Sequence, residues 1–97
     1  MTAPRTALIT GATEGIGRAT ALALGKAGWQ VGICARTAAK VDTTLAEFRA
    51  AGIRAAGQAA DVGDPAQVGT LVAKIEADLG PIDALINNAI WRWKSVV

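Results

Sequence analysis

The sequence predicts an α/β fold built on a parallel sheet, and three observations support this class. Short apolar runs alternate with segments of helical periodicity, which is the pattern of consecutive βαβ units. Hydrophobic residues make up 52% of the 97 residues and charged residues only 19%, a composition typical of a buried parallel sheet rather than of a disordered chain. A chain of this length forms one compact domain at most, because domains commonly run about 100 to 150 residues.

Four strands are predicted where apolar residues follow one another without a polar break, as they do in strands covered on both faces. The first strand is predicted at Thr6–Thr10 and the second at Gln30–Ala35. The third, at Arg54–Ala60, is rich in alanine and glycine, which have low strand propensity. The fourth is predicted at Ile82–Asn87.

Three helices are predicted between these strands, each with apolar residues recurring at three- and four-residue spacing. Gly28 and Gly52 are suited to end the first two helices. Asp64 is a favourable N-cap for the third, with proline at the first helical position. The predicted ranges are Gly15–Ala27, Ala38–Ala51 and Pro65–Leu79.

Charge and composition argue against several function classes. The formal net charge is +2 and the basic residues are scattered, whereas nucleic-acid binding uses a clustered basic face. No apolar run approaches the ~18 residues of a spanning helix, and the first residues lack the pattern of a signal peptide. We therefore expect no nucleic-acid partner, no membrane contact and a cytoplasmic location. With no histidine and Cys34 as the single cysteine, we expect neither a zinc site nor a histidine-based triad.

A glycine-rich loop connects the first predicted strand to the first predicted helix. A helix N-terminus offers unpaired backbone N–H groups and a partial positive charge, and so attracts phosphate. Gly11 permits the sharp turn off the strand, Gly15 removes a side chain where a pyrophosphate approaches, and Gly17 lets the helix lie close to the sheet. The strand, turn and helix in this order predict a dinucleotide site.

The spacing of the glycines points to one family. Thr10–Gly17 reads T-G-x-x-x-G-x-G, which resembles the signature of short-chain dehydrogenases/reductases. Asp61–Val62 after the third strand and Asn87–Ala89 after the fourth are similar to the family in order and spacing. The resemblance implies a Rossmann-type three-layer α/β fold with a truncated parallel sheet of four strands, in the sequence βαβαβαβ and the spatial order 3-2-1-4.

The end of the second strand selects between NAD and NADP in dinucleotide enzymes. An acidic residue there binds the ribose 2′-hydroxyl, whereas an arginine pairs with a 2′-phosphate. Arg36 follows the second strand directly, and Thr37 could add a hydroxyl to the same pocket. Glu14 works against NADP, because many family members that prefer NADP carry a basic residue just before the second glycine. We expect NADP as the cofactor, with NAD as the less favoured alternative.

The resemblance also implies roles beyond the glycine loop. The Asp61 carboxylate would accept the adenine amino group and Val62 would pack near the ring; the less favoured alternative for Asp61 is a turn former. Asn87 would tie the fourth strand to its neighbours, and Asn88 and Ala89 would lie along the riboses. The full set of expected cofactor-binding residues is Gly11, Thr13, Glu14, Gly15, Ile16, Gly17, Arg36, Thr37, Asp61, Val62, Asn88 and Ala89.

The catalytic residues of the family find no match. The family uses a serine and a Tyr-x-x-x-Lys pair, but this sequence has no tyrosine and Ile90 stands four residues before Lys94. We expect the chain to be the NADP-binding portion of an oxidoreductase that transfers hydride between nicotinamide and a carbonyl or alcohol, and to be inactive alone. The alternative is a non-catalytic nucleotide-binding or partner-subunit module.

The last residues depart from the family pattern. Ile90 replaces a glycine, and Trp91 and Trp93 follow in a sequence otherwise poor in aromatic residues. We therefore divide the chain into a Rossmann half-domain at 1–89 and an atypical tail at 90–97. A frameshift, a misjudged gene end or a shortened chain would explain the tail, and an adaptive segment that caps apolar surface is the alternative.

The expected topology leaves apolar surface uncovered. In a sheet of order 3-2-1-4 the first two helices cover one face and the third crosses to the other, where it must cover four strands alone. The fourth strand is then an unprotected edge. We expect a marginally stable chain that self-associates through this edge.

Overall fold

The computed structural model describes residues 4–88. Strands and helices alternate along this stretch, as the sequence predicts. Their bounds are β1 Thr6–Thr10, α1 Gly15–Lys26, β2 Gln30–Ala35, α2 Ala38–Ala50, β3 Ala55–Ala59, α3 Pro65–Leu79 and β4 Ala84–Ile86. β1, β2 and α3 have their predicted bounds, α1 and α2 end one residue earlier, and β3 is one residue shorter at each end.

The four strands form one parallel sheet in the order β3-β2-β1-β4. Leu8 at the centre of β1 lies opposite Gly32 of β2 and Leu85 of β4. The predicted topology is confirmed, since only crossover connections join parallel neighbours in this order.

The helices divide between the two faces of the sheet as expected. α1 and α2 cover one face, where Ile9 and Ile33 of the sheet pack with Phe48 of α2 in one buried cluster. α3 covers the other face, where Leu8 packs with Ile75. Burial of these side chains is the main stabilising contribution to the fold, at about 1.5–3 kcal/mol for each large aliphatic group.

Small residues in β2 and β3 explain how α3 packs closely against the sheet. A Cβ on Gly32 would come within 2.9 Å of Ile75 Cδ1, so the isoleucine occupies the space that a side chain on β2 would need. Ala56 of β3 is also buried in the cluster under α3. The alanine and glycine content of β3, unfavourable as strand propensity, is favourable for this packing.

The fourth strand is shorter than predicted, and side-chain hydrogen bonds join its flanking residues to β1 at both ends, beside a backbone bond from the Asp83 N–H to the Thr6 carbonyl oxygen at 2.8 Å. At the start, Asp83 Oδ2 accepts the backbone N–H of Thr6 at 2.8 Å. At the finish, the Thr10 hydroxyl donates to Asn87 Oδ1 at 2.9 Å. The prediction of Ile82–Asn87 was therefore wrong by two residues at the start and one at the finish.

A buried polar group anchors the end of α3 to the sheet. Gln30 Nε2 donates to the carbonyl oxygen of Leu79 at 2.7 Å and to Thr6 Oγ1 at 2.8 Å. The last carbonyls of a helix have no partner within the helix, and Gln30 satisfies one of them. No helix within residues 4–88 is long and apolar enough to cross a membrane.

Candidate functional site

The glycine-rich loop turns sharply between β1 and α1. Gly11 and Gly15 have φ angles of +62° and +56°, a left-handed conformation that glycine adopts without a steric penalty. Glu14, between them, is extended with φ of −145° and precedes the first turn of α1. The loop therefore presents the N-terminus of α1, with its unpaired N–H groups, at the carboxyl edge of the sheet.

Gly17 lies where three segments meet. A Cβ built at this position would overlap the carbonyl oxygen of Gly11 and come within 2.5 Å of Asn88 Nδ2. The absence of a side chain thus allows α1 to approach both the loop and the residues after β4. The close approach expected of this glycine is present, and its partners are the loop carbonyl and Asn88.

Thr10 joins the carboxyl ends of β1 and β4. Its hydroxyl accepts the backbone N–H of Asn88 at 2.8 Å and donates to Asn87 Oδ1 at 2.9 Å. Asn87 therefore ties β4 to its neighbour, as the resemblance led us to expect. The backbone of Asn88 is held beside the glycine loop as a result.

A cleft of about 640 Å³ runs along this edge of the sheet. It brings together most of the side chains and backbone segments that the sequence predicted for the cofactor. The predicted residues that line it are Gly11, Thr13, Glu14, Gly15, Ile16, Arg36, Thr37, Val62 and Asn88. Ile16 is 78% exposed and Val62 36%, so the cleft offers two uncovered apolar side chains to a ligand.

Two predicted residues do not line the cleft, and a third lies outside the described residues. Gly17 lies beneath the loop rather than in the lining. Asp61 is exposed, and its Oδ1 accepts the backbone N–H of Gly63 at 2.9 Å, which is the hydrogen bond of a turn former. Its neighbours Ala60 and Val62 line the cleft on either side of it. Ala89 lies outside the described residues.

Lys40 is a lining residue that the sequence reasoning missed. It stands in the first turn of α2, and its ammonium forms a short ion pair with Glu14 Oε1. The hydrogen bond and the positive charge of Lys40 lower the pKa of the Glu14 carboxyl below its ordinary value. The signal available in the sequence was the position of a lysine one turn beyond Arg36, at the start of the second predicted helix.

Cys34 forms part of the cleft floor from β2. The side chain is 1% exposed, and burial raises the pKa of the thiol above its ordinary value, while a hydrogen bond with the Gly11 backbone acts in the opposite direction. The thiol is therefore neutral near pH 7 and behaves as a small apolar group.

The same architecture occurs in proteins of known family. The family model described as short chain dehydrogenase matches residues 5–96. A 2-dehydro-3-deoxy-D-gluconate 5-dehydrogenase of Formosa agariphila is 44% identical over 86% of this chain and 32% of its own length.

Two solved structures are similar in both sequence and fold. A variant of actinorhodin polyketide ketoreductase, solved with NADPH, is 45% identical with a TM-score of 0.85 over 89% of this chain and 33% of that one. The L-sorbose reductase of Gluconobacter frateurii, solved with NADPH and L-sorbose, is 30% identical with a TM-score of 0.86 over 92% of this chain and 34% of that one. The chain thus spans about a third of the length of these relatives. From its glycine loop, its sheet order and the match along residues 5–96, the chain belongs to the short-chain dehydrogenase family.

Proposed function

We propose that this chain is the NADP-binding portion of an oxidoreductase that transfers hydride between nicotinamide and a carbonyl or alcohol substrate. The observation that carries the proposal is a single cleft lined by both the N-terminus of α1 and Arg36. An anion-binding helix end and a guanidinium at the end of β2 are the two groups that a dinucleotide with a 2′-phosphate requires.

The pyrophosphate would bind at the start of α1. Its approach is open because a Cβ on Gly15 would meet no atom within 4 Å, so the backbone there is accessible. Ile16 provides an exposed apolar side chain next to the same N–H groups. Thr13 adds a hydroxyl in the loop. Backbone N–H groups aligned with a helix dipole favour an anion without needing a cationic side chain.

The 2′-phosphate would bind between Arg36 and Thr37. Arginine offers a planar fork of donors that suits phosphate oxygens. Glu14 is the carboxylate that lines this cleft, and it is paired with Lys40. Lys40 thus partly neutralises the negative charge of Glu14, which would otherwise disfavour NADP.

The adenine would lie at the end of β3, and the riboses would lie near the end of β4. Val62 supplies an apolar surface for the adenine, and Asp61 has one oxygen committed to the Gly63 N–H while the carboxylate retains a second acceptor atom for the adenine amino group. Asn88, with Ala89 after it, would follow the riboses. The NADPH in the two similar ketoreductase and sorbose reductase structures supports a dinucleotide phosphate as the ligand.

The role of this portion is to bind and orient. NADPH supplies the hydride when it is bound, and the protein supplies position and electrostatics. Because the 97 residues contain no tyrosine, we propose that the proton donor of the family reaction is not provided by these residues, and that the chain alone is inactive. A non-catalytic nucleotide-binding module remains the second reading of the same cleft.

Nucleotide titration tests the proposal directly. The fluorescence of NADPH and of NADH would be followed as the full 97-residue chain is added. We expect NADPH to bind at least about tenfold more tightly than NADH, since a charge-assisted phosphate contact is worth about 1.5–3 kcal/mol. The variant Arg36→Gln should remove this preference and leave NADH binding unchanged. Equal affinities in the unmodified chain would contradict the NADP assignment, and no binding would contradict the nucleotide site.

A second proposal concerns self-association through β4. Among residues 4–88 this strand pairs with β1 alone, and Leu85 on it is 63% exposed. An open strand edge offers unpaired backbone groups to a second copy. Sedimentation at two concentrations should reveal a dimer that the variant Leu85→Lys weakens. A single monomeric species at both concentrations, with a sharp and high melting transition, would refute it.

A further inference from the structure

We propose that Lys40 is a second cation of the 2′-phosphate site and that its ion pair with Glu14 sets the preference between NADPH and NADH. This inference rests on the proposed dinucleotide function and deepens it, since it names a selectivity determinant that lies outside the strand-end position. Three features of the described residues carry it: the place of the pair in the cleft, the charges of its two members, and its separation from the ion pair between Arg18 and Glu47.

The pair stands in the cleft that contains Arg36 and Thr37. Lys40 reaches it from the first turn of α2 and Glu14 from the residue before α1. The backbone N–H of Lys40 donates to the carbonyl oxygen of Thr37 at 3.1 Å, so one turn of chain fixes the lysine relative to the strand end. Lys40 and Arg36 therefore line the same cleft.

The charges of Lys40 and Glu14 favour the binding of a phosphate group with two negative charges. A lone carboxylate at Glu14 would repel a phosphate, and Lys40 neutralises it. An ammonium has three donors, so Lys40 can keep its bond to Glu14 and give another to a phosphate oxygen. The side chains of Lys40 and Glu14 are 57% and 67% exposed, and at such exposure an ion pair adds little to stability. A role toward a ligand is the better explanation of its place in the cleft.

A second ion pair, close to the first, also connects α1 with α2. Arg18 of α1 pairs with Glu47 of α2 at 3.4 Å, and the Arg18 guanidinium lies over the Phe48 ring at 5.8 Å from its centroid. Neither Arg18 nor Glu47 lines the cleft, and their contacts do not involve Lys40. Loss of Lys40 should therefore leave the packing of α1 on α2 intact, so that its effect on nucleotide binding can be measured.

Three variants of the full chain test the inference. In Lys40→Gln we expect NADPH affinity to fall about tenfold while NADH affinity changes less than about twofold, because only NADPH carries the 2′-phosphate. In Glu14→Gln the ammonium is released to the phosphate, and NADPH affinity should rise about two- to threefold. Lys40→Arg should keep the NADPH preference. Lysine, glutamine and arginine have similar helix propensities, so circular dichroism should show the same fold in each.

Lys74→Gln is the matched control. Lys74 lies on α3, on the opposite face of the sheet, and pairs with Asp78 at 3.1 Å with 42% of its side chain exposed. This variant removes the same charge and also breaks an exposed ion pair. Because Lys74 lies on the other face of the sheet and its charge is screened by salt, neither the NADPH nor the NADH affinity should change by more than about twofold at moderate ionic strength.

The outcomes separate this inference from the function on which it rests. If the unmodified chain prefers NADPH but Lys40→Gln binds it as tightly, or weakens NADPH and NADH equally, Lys40 is not a phosphate cation and the dinucleotide function still stands. If the unmodified chain binds neither nucleotide, the proposed function fails and the role of Lys40 fails with it. A selective loss of NADPH affinity in Lys40→Gln, absent in Lys74→Gln, establishes the role.

Discussion

The hydroxyl of Thr10 accepts the backbone N–H of Asn88 at 2.8 Å, across 78 residues of chain. Thr10 is the last residue of β1, and Asn88 follows β4 by two residues. This bond places the Asn88 side chain next to Gly17, where a Cβ would come within 2.5 Å of Asn88 Nδ2. The Thr10 hydroxyl therefore joins the glycine loop to the residues after β4, and the lack of a side chain at Gly17 leaves room for Asn88.

Removing that hydroxyl should cost stability. Thr10 is 5% exposed, and the variant Thr10→Val keeps its shape while leaving the Asn88 N–H and the Asn87 side chain without this partner. We expect a loss of about 0.5–1.5 kcal/mol in the free energy of unfolding, the usual net contribution of a hydrogen bond, because Asn87 and Asn88 are only partly covered. Urea denaturation measures it. Thr10→Ser retains the hydroxyl and should lose less than half as much, and equal losses in the two variants would assign the effect to packing.

A methyl group at Gly17 should disrupt the site itself. Gly17→Ala would force α1 away from the Gly11 carbonyl, because the overlap is with backbone atoms and not with a flexible side chain. We expect destabilisation of about 1–3 kcal/mol and loss of NADPH binding. Gly69→Ala is the matched control, since Gly69 is exposed on α3 and a Cβ there meets no atom within 4 Å.

The control variant Gly69→Ala should be more stable than the unmodified chain, whereas Gly17→Ala should be less stable. Alanine is a better helix former than glycine by about 1 kcal/mol, so Gly69→Ala should raise the melting temperature and leave NADPH binding unchanged. A Gly17→Ala variant that is as stable as the unmodified chain and binds NADPH would show that α1 does not need its close approach to the loop.

We expect the buried Gln30 side chain to contribute more to the free energy of unfolding than an exposed glutamine would. The variant Gln30→Met keeps the volume but removes both donors, leaving the Leu79 carbonyl without its 2.7 Å hydrogen bond. We expect a loss of about 1–3 kcal/mol, measured by urea denaturation. A double-mutant cycle with Thr6→Val should give a coupling energy of about 0.5–3 kcal/mol, and strict additivity would mean that the two side chains do not act as a network.

Cys34 should be nearly inert in the folded chain. Its thiol is buried and its pKa is raised, mainly by that burial, so the reactive thiolate is scarce. We expect the reaction with a thiol reagent at pH 8 to be at least about 100-fold slower than after unfolding in urea, in keeping with opening of the native state. Rapid modification of the native chain would show that β2 is accessible at this point.

The same thiol predicts a pH dependence of stability. A raised pKa in the folded state means that the unfolded chain ionises first as the pH rises. The contribution of Cys34 is therefore fully present below the ordinary pKa of 9.0 and is lost as the pH rises from there through the folded value. Cys34→Ser should flatten the decline in melting temperature above pH 9, and an identical decline in both proteins would exclude this origin.

The sequence predicted the order of elements well, because each signal is local. Gly28 and Gly52 stop the first two helices with φ angles of +101° and +82°, and Asp64 caps α3 by accepting the Ala66 N–H at 3.0 Å. Buried parallel strands contain continuous apolar runs, which are visible without a structure. The sheet order followed from the family resemblance and the handedness of crossovers.

The missed features depend on contacts between distant residues. Asp83 and Asn87 have the sequence pattern of a strand, but their side chains hydrogen-bond to Thr6 and Thr10, and only the fold brings these residues together. Lys40 was missed for the same reason: its meeting with Glu14 joins two helix starts 26 residues apart. The sequence left two roles open for Asp61, adenine binding and turn formation. Its hydrogen bond to Gly63 is that of a turn former and leaves its second carboxylate oxygen available for adenine.

Amide NMR of the labelled 97-residue chain during an NADPH titration tests the central claim most directly, namely that the carboxyl edge of the sheet binds a dinucleotide phosphate. We expect the largest shifts at residues 13–17, at Arg36 and Thr37, and at Asn88, with NADH leaving the signals of Arg36 and Thr37 largely unmoved. Absence of shifts at millimolar NADPH, or shifts centred on Gln30 and Leu79 at the opposite edge of the sheet, would contradict the claim.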